Sequence, residues 1–465
     1  MGGSKIKIYF LALAVLLAPL AGARAQVSTR PAAPQQTPQQ QQTVAPSLPT
    51  PTPTPLFIES HDAADDVLQQ LAARPVVFRQ GVVVEKVDGE TVMEQAAEQA
   101  FNPASAVKLI TALVALRTFG PRHRFATAMW ITGTFDKATG TVTGDLVISG
   151  RDPSFHYEHA VAVARELNQL GIRTVTGDLI VAPRFSMNFS PSSLRSGEAF
   201  YDTLDVTRRP AAATRAWNDT RVALGDSKGL LEPPSVAVMG AVYVDSVPPG
   251  ARVVSTHYSP ELTDVLKVLL CYSNNFMADR LGDQLGGPEG LKRFLVTEVG
   301  LPAGEVRLAS ASGLGVNRVT PRHMMKIYRA LLAELKENKL KAADIMPVAG
   351  VDPGTLDKRY VNSPGRGSVI GKTGTLGRTD GGVSALVGQM RAKNGDVLLF
   401  VIFNQRGSVR AFRAAQDALV HELQFARGGP LAFTYTPQTL AMRLSASEFD
   451  SAAAATEEYE PESNQ

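Results

Sequence analysis

The chain has 465 residues, 44% of them hydrophobic, enough for two or more domains with their own cores. Its formal net charge is +3, from 47 basic and 44 acidic residues, so neither nucleic acid nor another strongly charged partner is implied. The single cysteine, Cys271, excludes an internal disulfide and a cysteine-based zinc cluster, and its apolar setting in VLKVLLCYSNN reads as a buried structural thiol.

The first residues, MGGSKIKIYFLALAVLLAPLAGARAQ, carry Lys5 and Lys7, an apolar run from Ile8, and Ala23-Arg24-Ala25. That pattern is a secretory signal peptide, residues 1–25, with a small-x-small cleavage site. Pro19 and Gly22 shorten the apolar run below a comfortable membrane span, so cleavage after Ala25 is expected rather than an uncleaved anchor. No later stretch is apolar enough to span. The mature protein is therefore expected to be exported, to the periplasm or envelope exterior, without stable membrane insertion. Residues 26–55, rich in Pro, Gln and Thr, cannot bury a core and read as an extended linker.

The globular part begins at Leu56. GVVVEKVDGETVMEQ gives two strand-like runs around Asp88-Gly89, a hairpin signal. In FNPASAVKLITALVALRTFG, Asn102 can cap a helix, Pro103 suits its first position, and Gly120 can end it. The interior is apolar nearly all round, which predicts a central buried helix. Residues 131–249 differ in texture. GTVTGDLVISG and TVTGDLIVAP read as strands and AVAVARELNQLG as a helix, giving a smaller α+β domain in which 185–234 resists assignment and no folded repeat is expected. Helical pattern returns at SPELTDVLKVLLCYSNNFMADRLGDQLGG. GVSALVGQM and DVLLFVIFN flank a turn at Asn394-Gly395, and VRAFRAAQDALVHELQFA is an amphipathic helix. The catalytic-type domain is thus expected in two parts, 56–130 and 250–427, sharing one antiparallel sheet made by both ends of the chain and covered by helices. Residues 428–465 are expected to form a disordered acidic tail.

In GRGSVIGKTGTLGRTDGG, residues 365–382, a Gly-Lys-Thr suggests a phosphate loop. The spacing fails: the glycine required five positions before Gly371 is Arg366. Gly374 and Gly377 also break any following helix, so SVIGKTGTL reads as a strand bearing Lys372-Thr373-Gly374. Two further motifs precede it. Ser105-Ala-Val-Lys108 opens the central helix, and Ser273-Asn274-Asn275 lies between two helices. Each is weak alone, since Ser4 to Lys7 and Ser186-Met187-Asn188 repeat the same patterns elsewhere. Order and context make the set stronger: Ser-x-x-Lys, Ser-x-Asn and Lys-Thr-Gly mark serine acyltransferases that react with penicillin.

The spacing has a chemical reason. Ser105 and Lys108, three apart, share a helical face. A serine hydroxyl needs a base, and a lysine serves only when neutral. The positive helix end, the charge of Lys372 and burial should all lower the Lys108 pKa. The plainer alternatives are a helix-start hydroxyl, a solvated lysine, capping residues at 273–275, and an edge-strand lysine at 372. A lysine inside an apolar helix argues against the first two. No histidine lies in a nucleophile context and no G-x-S-x-G elbow occurs. His156 and His159 lack a further evident metal ligand.

Beyond the motifs, FNPASAVKLITALVALRTFGPRHRFAT, TGDLVISGRDPSF, YSNNFMADRL, SASGLGVNRVTPRHM, GTLDKRY and GKTGTL resemble, in order, blocks of the class C low-molecular-weight penicillin-binding proteins, the DacB-type D-alanyl-D-alanine carboxypeptidases and endopeptidases. The resemblance runs from about residue 80 to 425, with a gap near 185–235. It implies an α+β fold of the penicillin-binding-protein/β-lactamase type with an inserted α+β domain, and a peptidase acting on peptidoglycan stem peptides and inhibited by β-lactams. It implies Ser105 as nucleophile, Lys108 as its base, Ser273 as proton relay, Asn275 holding the substrate amide, and Lys372 supporting the relay. Thr373 and Thr375 would meet the terminal carboxylate beside Gly374, and the N–H groups of Ser105 and Thr375 would form the oxyanion hole. No metal or organic cofactor is implied. Ser310-Ala311 before Ser312-Gly313-Leu314, and the added GRTDGG, depart from the pattern. A β-lactamase and a non-catalytic peptidoglycan-binding module are the alternatives.

Overall fold

The computed structural model describes residues 78–223, 225, 233–362 and 364–451. The chain divides into two units, 1–57 and 58–465, and every described residue belongs to the second. The expected signal peptide, the linker and residues 452–465 lie outside the described residues.

Strands β1 (Arg79–Lys86) and β2 (Thr91–Gln95) form the expected hairpin. A 3-10 turn, Ala104–Ala106, leads into α1 (Val107–Phe119). Then come β3 (Ala126–Ile131), β4 (Thr134–Asp136), β5 (Thr141–Thr143), β6 (Leu146–Gly150), α2 (Tyr157–Gln169), β7 (Thr174–Val175) and β8 (Leu179–Val181). The unassigned stretch contains α3 (Ser193–Leu204) and α4 (Ala211–Ala223), followed by β9 (Ala237–Val238), β10 (Val242–Val244) and β11 (Arg252–Tyr258). Helices α5 (Leu262–Tyr272), α6 (Asn275–Gln284), α7 (Gly287–Thr297), α8 (Pro321–Glu337) and α9 (Ala342–Ile345) precede β12 (Val369–Leu376), β13 (Val383–Arg391) and β14 (Val397–Gln405). The last described elements are α10 (Val409–Phe425), α11 (Leu440–Ser445) and β15 (Glu448–Asp450).

The catalytic-type part is built on a five-stranded antiparallel sheet in the order β12-β13-β14-β1-β2, so the first two strands of the described chain pair with strands from residues 369–405. Alternation along these strands feeds two cores. Val83, Val387, Val401 and Phe403 pack with α1, α5 and α8. Val82, Leu386, Phe400 and Ile402 face Leu419, Val420 and Leu423 of α10. Each such side chain, fully buried, contributes about 1.5–3 kcal/mol. Helices on both faces explain why the strands read as near-continuous apolar runs. Val107 to Leu116 of α1 are all buried, as expected for a helix apolar on every side.

The inserted part has a six-stranded sheet, β10-β8-β6-β3-β11-β15, and a four-stranded one, β4-β5-β7-β9. Its larger sheet takes in 126–131 and 252–258, so the insertion is wider than the expected 131–249. A repeat also emerges where none was expected. Strands β5, β7 and β9 lie side by side in one sheet, and β6, β8 and β10 in the other, all parallel. Each rung turns from one sheet into the other at a glycine corner. Gly177 N donates to Gly144 O (2.9 Å) and Gly240 N to Gly177 O (2.8 Å). A Cβ on Gly177 would lie 2.3 Å from Asp145 Oδ1, and on Gly240 2.1 Å from Asp178 Oδ1, so only glycine permits this stacking. The recurring TVTGDL at 141 and 174 is the signal. The third rung, AVMGAV, has lost all but the glycine and the apolar pattern.

The tail expectation is corrected for residues 428–451. Phe433 N donates to Gly367 O (2.9 Å), Arg443 bonds Asp264 (2.5 Å), and β15 pairs antiparallel with β11. This segment therefore straps the inserted sheet to the catalytic-type part. Its anchors are scattered polar contacts, which carry no periodicity.

Tyr435 of the strap reaches a buried ion pair. Lys267 on α5 and Asp352, both fully buried as side chains, approach to 2.7 Å; Tyr435 Oη donates to Asp352 Oδ1 (2.8 Å). Removing one partner strands a charge. Asp352→Ala is expected to lower unfolding free energy by about 3–5 kcal/mol, whereas Lys267→Met with Asp352→Leu should restore most of it, as read from denaturant midpoints.

Candidate active site

The site starts from a strained turn. Asn102 Oδ1 accepts from Ala104 N (3.1 Å), and Ala104 adopts φ +47°, uncommon for a residue with a side chain. The chain then passes through the 3-10 turn into α1. Ser105 is the one residue between Phe101 and Leu116 that is not buried, so solvent reaches its hydroxyl. Two neighbours press against the turn. A Cβ on Gly374 would lie 2.7 Å from Pro103 O; one on Gly313, at φ +86°, would lie 2.0 Å from Ala104 O. Both positions need glycine for β12 and the 312–315 loop to come this close.

Lys108 is fully buried, and its Nζ meets three oxygens: Ser105 Oγ (3.1 Å), Asn275 Oδ1 (2.7 Å) and Ser312 O (2.6 Å). A neutral amine has two protons and one lone pair. Asn275 Oδ1 and Ser312 O can only accept, so they take the two protons. The lone pair is then left for the hydroxyl of Ser105. Burial lowers the Lys108 pKa to about 7, while the negative charge of Asp279 opposes that fall. The sequence had placed the helix end and Lys372 beside burial as causes; burial leads.

Ser273 ends α5 in the left-handed conformation (φ +55°, ψ +42°), which turns the chain sharply between helices. Asn274, not Ser273 or Asn275, caps the next helix, accepting from Met277 N (3.0 Å). Ser273 Oγ accepts from Lys372 Nζ at 2.8 Å, and Thr373 O accepts from the same nitrogen at 2.6 Å. Lys372 lies on an edge strand, as a solubilising lysine would, yet it is fully buried. Burial first, and the charge of Lys108 second, hold its pKa well below the ordinary lysine value. Thr373 is buried, and Thr375 Oγ1 accepts from Arg413 Nη2 (3.1 Å).

The five candidate catalytic residues thus form two neighbouring hydrogen-bonded groups, Ser105–Lys108–Asn275 and Ser273–Lys372, linked by the 273–275 turn and by the charge of Lys108 acting on Lys372, with Thr373, Gly374 and Thr375 following along β12. Three participants were missed in the sequence. Ser312 lends its carbonyl to Lys108 and its N–H to Asp279 Oδ1 (2.8 Å). Asp279 supplies a negative charge that acts on Lys108. Arg413 arrives from α10. Backbone carbonyls leave no mark in a sequence, and the other two look like ordinary helix charges. The Ser310-Ala311 departure now has a place: Ala311 O accepts from Thr111 Oγ1 (2.7 Å), and its methyl fills the space that Gly282 leaves. His159 is engaged at both ring nitrogens, Nδ1 by His156 N (3.0 Å) and Nε2 by Leu444 O (2.9 Å).

An accessible serine bonded to a buried, low-pKa lysine, beside a second serine–lysine pair, defines a serine acyl-transfer enzyme on a penicillin-binding-protein fold. The model of the D-Ala-D-Ala carboxypeptidase 3 (S13) family matches residues 63–193 and 204–424. The chain belongs to that family and is a serine-type hydrolase. It is 26% identical to the carboxypeptidase DacB of Mycolicibacterium smegmatis and 26% identical to the D-alanyl-D-alanine carboxypeptidase of Actinomadura sp.; each match covers 74% of this chain and 80% of the relative. Among solved structures, the penicillin G-acylated endopeptidase Bd3459 of Bdellovibrio bacteriovorus shares the fold with TM-score 0.66 at 21% identity, covering 78% of this chain and 96% of that one. Penicillin binding protein 4 of Haemophilus influenzae follows at TM-score 0.54 and 21% identity, covering 78% and 98%.

The pH dependence follows from the state of Lys108. With Lys108 as the expected base, which works only when deprotonated, the acylation rate should rise with pH and level off above an apparent pKa near 7, falling about tenfold per unit below it. Asp279→Asn removes the charge that raises the Lys108 pKa, so the limb should move to lower pH. Stopped-flow acylation by a reporter β-lactam between pH 5 and 9 measures both. An unmoved limb in the variant would remove Asp279 from the electrostatics of the base.

Proposed function

We propose that the protein is an exported D,D-carboxypeptidase that removes the terminal D-alanine from peptidoglycan stem peptides and also cleaves D,D crosslinks. The observation that carries this reading is the three-oxygen environment of Lys108 Nζ, which leaves a lone pair for Ser105. In the first step Ser105 Oγ attacks the carbonyl carbon of the penultimate D-alanine, and its proton passes to Lys108. The backbone N–H groups of Ser105 and Thr375 hold the oxyanion. The C–N bond then breaks, with a proton delivered to the departing amine through Ser273, which Lys372 orients. Water, its proton taken by Lys108, cleaves the ester and releases the trimmed peptide. Asn275 holds the substrate amide. Thr373 and Thr375 receive the terminal carboxylate, and Arg413, bonded to Thr375, supplies positive charge there.

The same steps, stopped before deacylation, describe inhibition by a β-lactam, whose ring carbonyl takes the place of the peptide carbonyl. The family membership supports this, as does the penicillin G acylation of the Bdellovibrio endopeptidase that shares the fold. The signal-like N-terminus supports export. Among the described residues no helix is long and apolar enough to cross a membrane.

Labelled penicillin is expected to attach covalently to one peptide, the one containing Ser105. Ser105→Ala should abolish the adduct, and Lys108→Ala should slow acylation by about 10²–10⁴-fold, measured by intact-protein mass spectrometry over time. Labelling of the Ser105 variant at the same rate would overturn the nucleophile. Rapid turnover of a chromogenic cephalosporin would favour a β-lactamase, and binding of a D-Ala-D-Ala peptide without release of D-alanine would favour a binding module. Arg413→Ala should lower kcat/KM at least tenfold for peptides with a free terminal carboxylate.

A further inference from the structure

Beside the nucleophile's turn, a cavity of about 320 Å³ is lined by Arg79, Arg318, Asp380, Gly381, Gln405 and Arg406. Three guanidinium groups face one carboxylate there. Arg318 is committed to that carboxylate, bonding Asp380 through both terminal nitrogens at 2.9 and 2.8 Å. The other two have no carboxylate bound to them among the described residues. Arg79 bonds Gln99 Oε1 and Ala100 O and lies over the ring of Phe101. Arg406 is exposed, and its charge reaches Asp380 through space without a hydrogen bond. The cavity therefore keeps an excess of positive charge.

Gln405 makes the cavity more than a basic patch. It is 4% exposed, and its Oε1 is buried without a hydrogen-bond partner. An orphaned buried amide oxygen costs free energy, and in a native protein it points to a missing donor. Its position is defined by the sheet. Gln405 pairs across the ladder with Arg79 and precedes Arg406 in the chain, and all three line the cavity. Arg406 adopts φ +63°, a costly conformation for arginine, held by bonds from Arg406 N to Gly382 O (3.0 Å) and Gly407 N to Gly381 O (3.0 Å). The added GRTDGG segment thus supplies Asp380, Gly381 and the clamp on Arg406.

The geometry points to an accessory binding site for an N-acyl amino acid with a free α-carboxylate. Such a ligand carries an amide N–H and a carboxylate on the same carbon. The N–H donates to Gln405 Oε1, and the carboxylate lies between Arg79 and Arg406, where guanidinium recognition of carboxylate is favourable. The site is distinct from the cleft of Ser105 and Lys372, yet one hydrogen bond from its turn: Asp380 Oδ2 accepts from Asn102 Nδ2 (2.8 Å), and Asn102 caps Ala104. The chemistry assigns the ligand class by itself; naming a stem-peptide terminus as its source rests on the proposed function.

The test is a calorimetric titration of the protein with N-acetyl-D-alanine before and after treatment with benzylpenicillin, adduct formation being followed by mass spectrometry. The treated protein is expected to keep one saturable site, weakened at least tenfold by Arg406→Asn and by Gln405→Leu. Asparagine tolerates the left-handed backbone, and position 406 is exposed, so the first variant folds even if the second does not. Acetate and inorganic phosphate should bind at least tenfold more weakly. Absence of saturable binding, binding indifferent to Arg406→Asn, or equal binding of phosphate would each overturn the assignment. Failure of the adduct to form would instead count against the proposed function, and the titration of untreated protein with both variants would still decide the accessory site.

Discussion

Two lysines buried without carboxylate partners dominate this structure. Taking an ammonium out of water is expensive unless a counter-charge or a change of protonation relieves it. The chain shows both solutions. Lys267 meets Asp352 at 2.7 Å and ties α5 to the C-terminal strap. Lys108 and Lys372 meet only hydroxyl, amide and carbonyl oxygens, and each also feels burial. The protein relieves that burial by making their neutral forms more accessible, and a neutral lysine is a base. In the proposed mechanism, the free energy lost by burying Lys108 goes into the activation of Ser105.

The surrounding fold serves to keep that arrangement dry and fixed. Helix α1 is buried along ten consecutive residues, so the Lys108 side chain is held away from water. β12 delivers Lys372 from an edge of the sheet, yet the lysine is fully buried, and Gly374 and Gly313 let strand and loop press against the 103–105 turn. The left-handed Ser273 terminates α5 where its hydroxyl meets Lys372. The inserted domain and the strap contribute at a distance: Arg443 and Tyr435 hold α5 through Asp264 and the Lys267–Asp352 pair, and α5 carries Ser273.

Much of this was legible in advance, for physical reasons. Period-two and all-apolar patterns gave the β1–β2 hairpin, α1, β13, β14 and α10, since each buries a defined face. Ser105, Lys108, Ser273, Asn275 and Lys372 stood out as candidates because acyl transfer by a lysine base demands those residue types in a fixed local setting, and the structure brings them into hydrogen-bonded contact. What escaped notice had weaker local signals. The three-rung stack hides behind one degenerate repeat. The strap is held by Tyr435, Arg443 and β15, each anchored to a residue far away in the chain. α3 and α4 are amphipathic helices in a stretch poor in clear boundaries.

The sequence alone determined the chemistry on offer: which residues could act as nucleophile, base and relay, on which kinds of element, and in which two-part domain. That information is local, because turns, caps and hydrophobic faces are set by near neighbours. Only the tertiary structure decided how the charges behave. Whether Lys108 is neutral depends on its burial and on Asp279, 171 positions away along the chain. Whether Arg413, Ser312 or Asp380 matters depends on which distant oxygen each one meets. Electrostatic energy depends on distance through space and on the exclusion of water, and neither can be read along a chain.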